Sequence, residues 1–508
     1  MIRIRHKIRH KTRNHPVVTD AFWQIAGRIA SALWWLLVIK LITPYLWPLR
    51  FGDYSTILKY FAIWSALADF GVYVLALRHL WAIKKKQLTH ELQETYEKYV
   101  SSRVVLIGIV YVLALVIAYL IPAYTSNPFL VWGLPLGMIF SASFMVAGIL
   151  QIPLQLHRKM QHVSIALVLA RVVQLAIIGG VLVVYPHAYE DPTALAISPF
   201  MWILFSVVAS GIVQWLYVWW QWYRVMKRRR RWDFGFTWSL TRDHRKYGVA
   251  YYLSSFHTLL VMIFLSWYFP TIEWFIYAGT WALALSLIEI FLIVPSALGN
   301  SLIHDVAAQD RLAKQQRFGS LLSLVVRIGG FILFQFALWR TSIIDFIGGS
   351  AFLSNATQLG SDALLPFLAL VLLLSFIKQV FNYIFVSEQL HNKLLVINGI
   401  GVTIGVLVGV LIIPQRNLIG GIITQLVLEV SFVVGALLFA YKHNAIPRIS
   451  RLSLLPILGV IVWSLYIAFF VHLPAVGIWW LLAWGLVSTA LLVGVQYPTL
   501  KVWLKSLS

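Results

Sequence analysis

The chain has 508 residues, of which 60% are hydrophobic and 12% charged, at a mean hydropathy of +0.80. Ordinary soluble chains carry about a quarter charged residues, so this composition excludes a water-soluble globule and leaves little room for a separate extramembrane domain. The absence of cysteine excludes disulfides, thiolate nucleophiles and cysteine-ligated metals, and the net charge of +23 takes its meaning from where the basic residues fall.

Residues 1–19 form a basic tail, opening MIRIRHKIRHKTRNH. The opening is like the positive region of a signal peptide, but the apolar stretch after it is too long and lacks an A-x-A site, so the first helix is read as uncleaved. A bilayer crossing takes about 20 mostly apolar residues. Hydropathy predicts spans 1 to 6 at roughly 20–45, 52–78, 104–122, 129–155, 162–185 and 196–223. Spans 7 to 12 follow at roughly 248–269, 272–300, 318–340, 362–387, 393–413 and 417–441, and two more at 453–472 and 476–496. The fold class is therefore an all-α integral membrane protein of about fourteen transmembrane helices. It divides into a six-helix bundle over 20–223, a basic cytoplasmic linker over 224–247, a second six-helix bundle over 248–441, and two extra helices with a tail over 442–508. Between spans 2 and 3, residues 83–102 have the spacing of a surface helix at the cytoplasmic interface. The Gly/Ser-rich outer segment of about 20 residues after Arg340, with its Asn355-Ala-Thr357 sequon, is read as a connector.

Basic residues crowd one side of this topology. The tail, the segments around Lys84 and Lys98, Arg158 and Lys159, the cluster from Arg224 to Lys246, Arg311 to Arg317, Lys393, Lys442 and Lys501 all fall inside, against Arg50, Arg340 and Arg416 outside. The positive-inside rule then sets both termini in the cytoplasm. The excess charge serves topology and attraction to anionic headgroups; membrane lipids, not nucleic acid, are the expected partner.

Six cations, Arg28, Lys40, Lys59, Arg171, Arg327 and Lys378, fall within the predicted spans. A charge at the bilayer centre costs about 3 kcal/mol on insertion scales, so each marks either a site or a snorkelling side chain. Arg28, flanked by Gly27, Ala30 and Ser31, is read as a cavity residue, small neighbours allowing close helix approach or open space. Lys59 lies two turns into span 2. Arg171 and Arg327 are equally placed to line a cavity or to reach the inner interface. Lys378 and Asn382 stand one turn apart with Gln379 between them, a polar stripe suited to a water-filled cavity, and His257 is a further polar cavity candidate. Lys40 is read as snorkelling. The intramembrane acids Asp69, Glu289 and Glu429 are counter-ions to these cations or a proton or sodium coupling site. More buried cations than acids point to an anionic substrate, and arginine suits phosphate through bidentate bonds. No metal-ligand spacing and no phosphate-binding loop is present, so no cofactor and no catalysis are expected.

The two halves correspond weakly. Span 2 opens at Gly52-Asp53-Tyr54-Ser55 and carries Asp69 17 residues on; span 8 opens near Thr271, passes Phe275 to Gly279 and carries Glu289 at the same depth. Repeated lobes of one topology are a common transporter plan.

Residues 50–80, RFGDYSTILKYFAIWSALADFGVYVLALRHL, resemble the second-helix pattern of polysaccharide flippases: Gly-x-Tyr at the start, then Ala-Asp-Phe-Gly and a closing Arg. Residues 398–441 are similar to a second pattern of that family, carried here by Pro414, Gly420, Gly421, Thr424 and Glu429, and residues 157–175 are a looser third. The chain thus resembles the oligosaccharide-lipid flippases of the multidrug/oligosaccharidyl-lipid/polysaccharide superfamily. The resemblance implies two six-helix bundles in a V, alternating access, and transfer of an undecaprenyl-diphosphate-linked glycan across a bacterial or archaeal cytoplasmic membrane, alongside polysaccharide assembly proteins. One departure is that span 7 reads HTLLVMIFLSWY, with His257 where many relatives carry an Asp, which puts ion coupling there in doubt. On this reading Arg28, Lys59, Arg327 and Lys378 neutralise the diphosphate while Trp34 and Tyr60 stack on sugars. The alternatives are a cation-coupled drug antiporter of the same superfamily and a membrane glycosyltransferase, for which the outer acids Asp191, Asp345 and Asp362 are isolated.

Overall fold

The computed structural model describes residues 16–85, 89–157, 159–186, 197–225, 245–256, 259–267, 272–295, 311–356, 358–388 and 390–443, with isolated positions between and beyond them. In chain order these form α1 (Pro16–Asp69), α2 (Val72–Lys85), α3 (Thr89–Leu120), α4 (Pro128–Leu156), α5 (Met160–Val184), α6 (Ile197–Val225), α7 (Arg245–Phe256), α8 (Leu260–Trp267), α9 (Ile272–Glu289), α10 (Arg311–Leu338), α11 (Arg340–Gly348), α12 (Ser361–Ser387) and α13 (His391–Lys442). No strand occurs among the described residues. Nine helices among them are long and apolar enough to cross a bilayer, as expected of an all-α membrane protein. His257 and nearly all of the two C-terminal spans lie outside the described residues.

Two of the nine are double crossings. A straight helix the length of α1, 54 residues, would run roughly 80 Å, far beyond a hydrocarbon core of about 30 Å. The chain instead folds back at single residues: Trp47 (φ 52) in α1 and Asn417 (φ 49) in α13. Pro44 and Pro48 bracket the first fold and Pro414 precedes the second, each removing a helical hydrogen bond and crowding the carbonyl a turn earlier. Spans 1 and 2, and spans 11 and 12, are therefore joined without a loop.

Span 2 is itself broken. α1 ends at Asp69, Phe70 (φ 44) and Gly71 (φ 72) reverse the backbone, and α2 begins at Val72. Positive φ is ordinary for glycine but costs a bulky residue about 1–3 kcal/mol.

The segment read as a surface helix between spans 2 and 3 behaves differently, since from Thr89 onward it is continuous with span 3 in one 32-residue helix. Leu92, Tyr96, Tyr99, Val100 and Arg103 share one face of it, and all are buried. The apolar members of that stripe pack on Val72, Ala76 and Leu80 of α2 and on Ile149, Ile152 and Leu156 of α4 rather than lying on lipid.

The chain forms two compact units, Met1–Val38 with Ile57–Ser255, and Ile39–Thr56 with Phe256–Ser508. The first contains the core just described. In the second, α1 around Pro48 and Gly52 meets α9 backbone to backbone: a Cβ on Gly52 would overlap the Phe275 carbonyl, and one on Gly279 the Pro48 carbonyl. These glycines stand at the corresponding openings of spans 2 and 8. The segment after Arg340 is folded in the same unit. Lys40 donates to the Phe346 carbonyl at 2.5 Å with its ammonium over the Phe346 ring, Thr43 donates to Ile347 O at 2.8 Å, and Phe352 is buried edge-on to Phe51. Lys40, expected to snorkel, is thus engaged near the C-terminal end of α11, where a cation also offsets the helix dipole.

The glycine contact makes a testable demand. Gly52→Ala is expected to lower the thermal midpoint of the detergent-solubilised protein, a loss of about 1–3 kcal/mol from overpacking. Gly108→Ala, where nothing lies within 4 Å, should leave the midpoint unchanged or raise it slightly.

Candidate functional site

Each unit holds an ion pair that contains one of the acids singled out in the sequence. In the first, Asp69 at the end of α1 meets Arg103 of α3, Nη2 to Oδ1 at 2.9 Å, both side chains being less than a tenth exposed. Met145 Sδ lies 3.6 Å from the same nitrogen. Arg103 Nε and Nη1 are buried with no hydrogen-bond partner among the described residues. Tyr73, one turn past the break, donates to Gln155 Oε1 of α4 at 2.8 Å and lies within electrostatic reach of Arg28, Arg103 and Asp69.

In the second unit, Lys378 of α12 is 3.2 Å from Glu429 Oε1 of α13. Ser375, one turn before Lys378, donates to the same oxygen at 3.0 Å, and the Phe432 ring, one turn after Glu429, has its centroid 4.9 Å from the ammonium. Spacings of three residues on both helices put donors, acceptor and ring on facing stripes. Asn398 and Gln425 of α13 are also buried. A buried pair of this kind is held by low dielectric, yet it is unforgiving, because removal of either partner strands the other charge.

The remaining candidates are distributed. Arg28 and Lys59 on α1, Arg171 on α5 and Arg327 on α10 are half-buried. Arg171 donates to Gln174 at 2.7 Å, and its guanidinium lies over Trp35, 4.8 Å from the ring centroid. Gly27, beside Arg28, is where α1 comes against Ser164 of α5: a Cβ there would overlap the serine. Gln379 donates to Tyr383 at 3.3 Å while Lys378 turns to Glu429, so the expected stripe of Lys378, Gln379 and Asn382 splits, with Asn382 half-buried. Glu289 is half-buried at the end of α9. Tyr60 is buried, with its hydroxyl donating to the Ala114 carbonyl at 2.6 Å. Among the described residues no cluster of three His, Asp or Glu could hold a metal.

The residue that sequence reasoning passed over is Arg103, placed in the cytoplasmic segment because span 3 was begun one residue after it. The signal was present, for Arg103 continues the helical stripe Leu92, Tyr96, Tyr99.

Residues 17–296 match a family described as polysaccharide biosynthesis protein. Among solved structures, the fold is similar to a lipid II flippase, MurJ, in an inward closed conformation, at a TM-score of 0.64 and 12% identity over 96% of this chain and 99% of that one. It is also similar to an inward-facing multidrug resistance MATE family transporter of the MOP superfamily, at a TM-score of 0.55 and 11% identity over 87% of this chain and 98% of that one. At such identities the likeness is one of fold. No curated protein matches the sequence.

The Lys378–Glu429 pair can be tested by a double-mutant cycle. Lys378→Met and Glu429→Gln are each expected to cost about 3–5 kcal/mol of stability, while Lys378→Met combined with Glu429→Leu should recover most of the loss, read as thermal midpoints in detergent. A double variant no more stable than the singles would rule out a stranded charge as the cause.

Proposed function

This chain belongs to the polysaccharide biosynthesis protein family, and from that premise we propose that it is a flippase, moving a lipid-linked oligosaccharide from the inner to the outer leaflet for surface polysaccharide assembly. Family membership is the observation that carries the reading. The fold, shared with a lipid II flippase over nearly the whole of both chains, supports it independently of sequence.

The charge inventory favours an anionic cargo such as a diphosphate-linked glycan. Of the three acids singled out in the sequence, Asp69 and Glu429 are neutralised by Arg103 and Lys378. Arg28, Lys59, Arg171 and Arg327 remain half-buried and are the side chains we assign to the phosphates, with guanidinium forks suited to paired oxygens. Lys378, in this conformation, is already matched by Glu429. Transport proceeds by alternating access, with undecaprenyl diphosphate as the carrier, both termini cytoplasmic, and no bond made or broken in the cargo.

The second reading, a cation-coupled drug antiporter, is favoured by the likeness to the multidrug transporter. It requires cavity acids that hold a cationic cargo, and pairing of two of the three acids counts against it.

The readings separate in proteoliposomes. Purified protein is expected to move a fluorescent undecaprenyl-diphosphate glycan across the bilayer, and Arg28→Gln combined with Arg327→Gln to slow that flux at least about tenfold, the scale of one lost charge-assisted bond. Undiminished flux in the double variant would remove these residues from the site. Efflux of a cationic dye with no glycan flux would instead establish the antiporter.

A further inference from the structure

We propose that the Asp69–Arg103 pair is a releasable latch between two pieces of the first unit that meet at a two-residue hinge, Phe70 and Gly71, the limb being anchored further along α3 through Tyr60 to Ala114 O and Ser65 to Tyr111, each at 2.6 Å. One piece is the membrane limb of α1 from Ile57 to Asp69. The other is the block formed by α2 with the inner ends of α3 and α4. The inference stands whatever the chain carries.

The hinge is confined. Phe70 N–H still bonds to Ala66 O at 3.1 Å before the break, and Leu75 N–H to Gly71 O at 3.1 Å after it, so helical bonding resumes at once on either side. Positive φ at two successive residues, one of them Phe70, is the kind of change that a few element-terminal positions absorb when helices move as bodies. Phe70 is held there by packing: its ring lies on Gly248 of α7, where a Cβ would overlap it. A conformation that depends on such outside support is free to relax when the support shifts.

Beyond the hinge, the block is stitched to itself. Tyr73 bonds Gln155, His79 Nδ1 and the Tyr99 hydroxyl are 3.1 Å apart, Lys84 donates to the Leu156 carbonyl, and Val72, Ala76, Leu80 and Ile83 are buried against α3 and α4. Across the hinge, Asp69 on the limb meets Arg103 on the block.

That bridge is incompletely bonded. A buried guanidinium in a permanent bridge is expected to fill its donors, commonly as a two-pronged pair with carboxylate. Here only Nη2 reaches Asp69, and Nε and Nη1 are buried without a partner among the described residues. When the limb tilts away and water or a headgroup reaches the site, Arg103 gains bonds that the closed state denies it, which offsets the loss of the pair. The closed arrangement is thus poised, where a fully bonded pair would be locked.

The natural absence of cysteine makes a direct test available. Gly148 of α4 is half-exposed beside Arg103, and a Cβ there would meet only Nη2, at 3.7 Å, so Gly148→Cys sets a thiol next to the pair without crowding it, and the change in its rate reports opening. Its alkylation by a small water-soluble thiol reagent is measured in proteoliposomes. Asp69→Asn is expected to raise the rate at least about tenfold by shifting the population toward the open state, and the charge swap Asp69→Arg with Arg103→Asp to return it to within about threefold of the parent. Arg103→Lys, which keeps the positive charge opposite Asp69, should also stay within about threefold. A rate unmoved by Asp69→Asn in folded protein, or not restored by the swap, overturns the proposal. Should Asp69→Asn fail to fold, Arg103→Lys decides alone, since labelling as fast as in a protein denatured in detergent would mean that the bridge is part of the permanent core.

Discussion

A charge or an unsatisfied backbone group inside hydrocarbon has no water to turn to, and the structure is organised around that single constraint. It dictates that the apolar spans among the described residues be helices. It also dictates that departures from helix be brief and supported: one residue at Trp47, one at Asn417, two at Phe70 and Gly71. Where the chain turns at Trp47, prolines supply positions with no N–H to satisfy. Where it turns at Asn417, the side-chain amide reaches the Tyr277 hydroxyl at 3.4 Å. The buried acids Asp69 and Glu429 obey the same constraint, each finding a cation inside its own unit.

Those aspects of the fold that follow from the constraint alone were legible in the sequence. Apolar runs of about twenty residues admit hardly any structure but a crossing helix, and α4, α5, α6 and α12 begin and end within two residues of the hydropathy estimates. Breaks within a run were not legible, because hydropathy averages over a window and Phe70-Gly71 is as apolar as its surroundings. The inner extension of α3 was missed for a related reason. Its stripe of Leu92, Tyr96 and Tyr99 suits a membrane surface and a protein core equally well, and only the presence of the α2 and α4 faces decides between them.

For the site, chemistry was legible and pairing was not. That Asp69, Glu429 and Lys378 needed partners followed from the cost of burying charge; which partner each found depended on contacts between residues 34 and 51 positions apart, such as Asp69 with Arg103 and Lys378 with Glu429. Asp69 and Glu429 each face a cation, but the sequence joins Asp69 to no residue, since Arg103 falls among the cations outside the predicted spans. The half-buried Arg28, Lys59, Arg171 and Arg327 divide from the buried Lys378 by exposure, a distinction invisible to composition.

Two kinds of contact along α1 have opposite mechanical character. At Gly52 the helix lies so close to Phe275 and Gly279 that even one added carbon would collide with backbone; such a contact has a steep repulsive wall and tolerates little sliding. At Asp69 the helix is held by one ion pair, 2.9 Å long, to a side chain with donors to spare. Dispersion between backbones is lost as soon as the surfaces part and nothing replaces it, whereas a carboxylate and a guanidinium can exchange each other for water or phosphate. Close glycine packing therefore suits the parts of a transporter that must stay together, and an under-bonded ion pair suits those that must separate. The sequence distributes them accordingly, with small residues at the openings of spans 2 and 8 and charge where span 2 breaks.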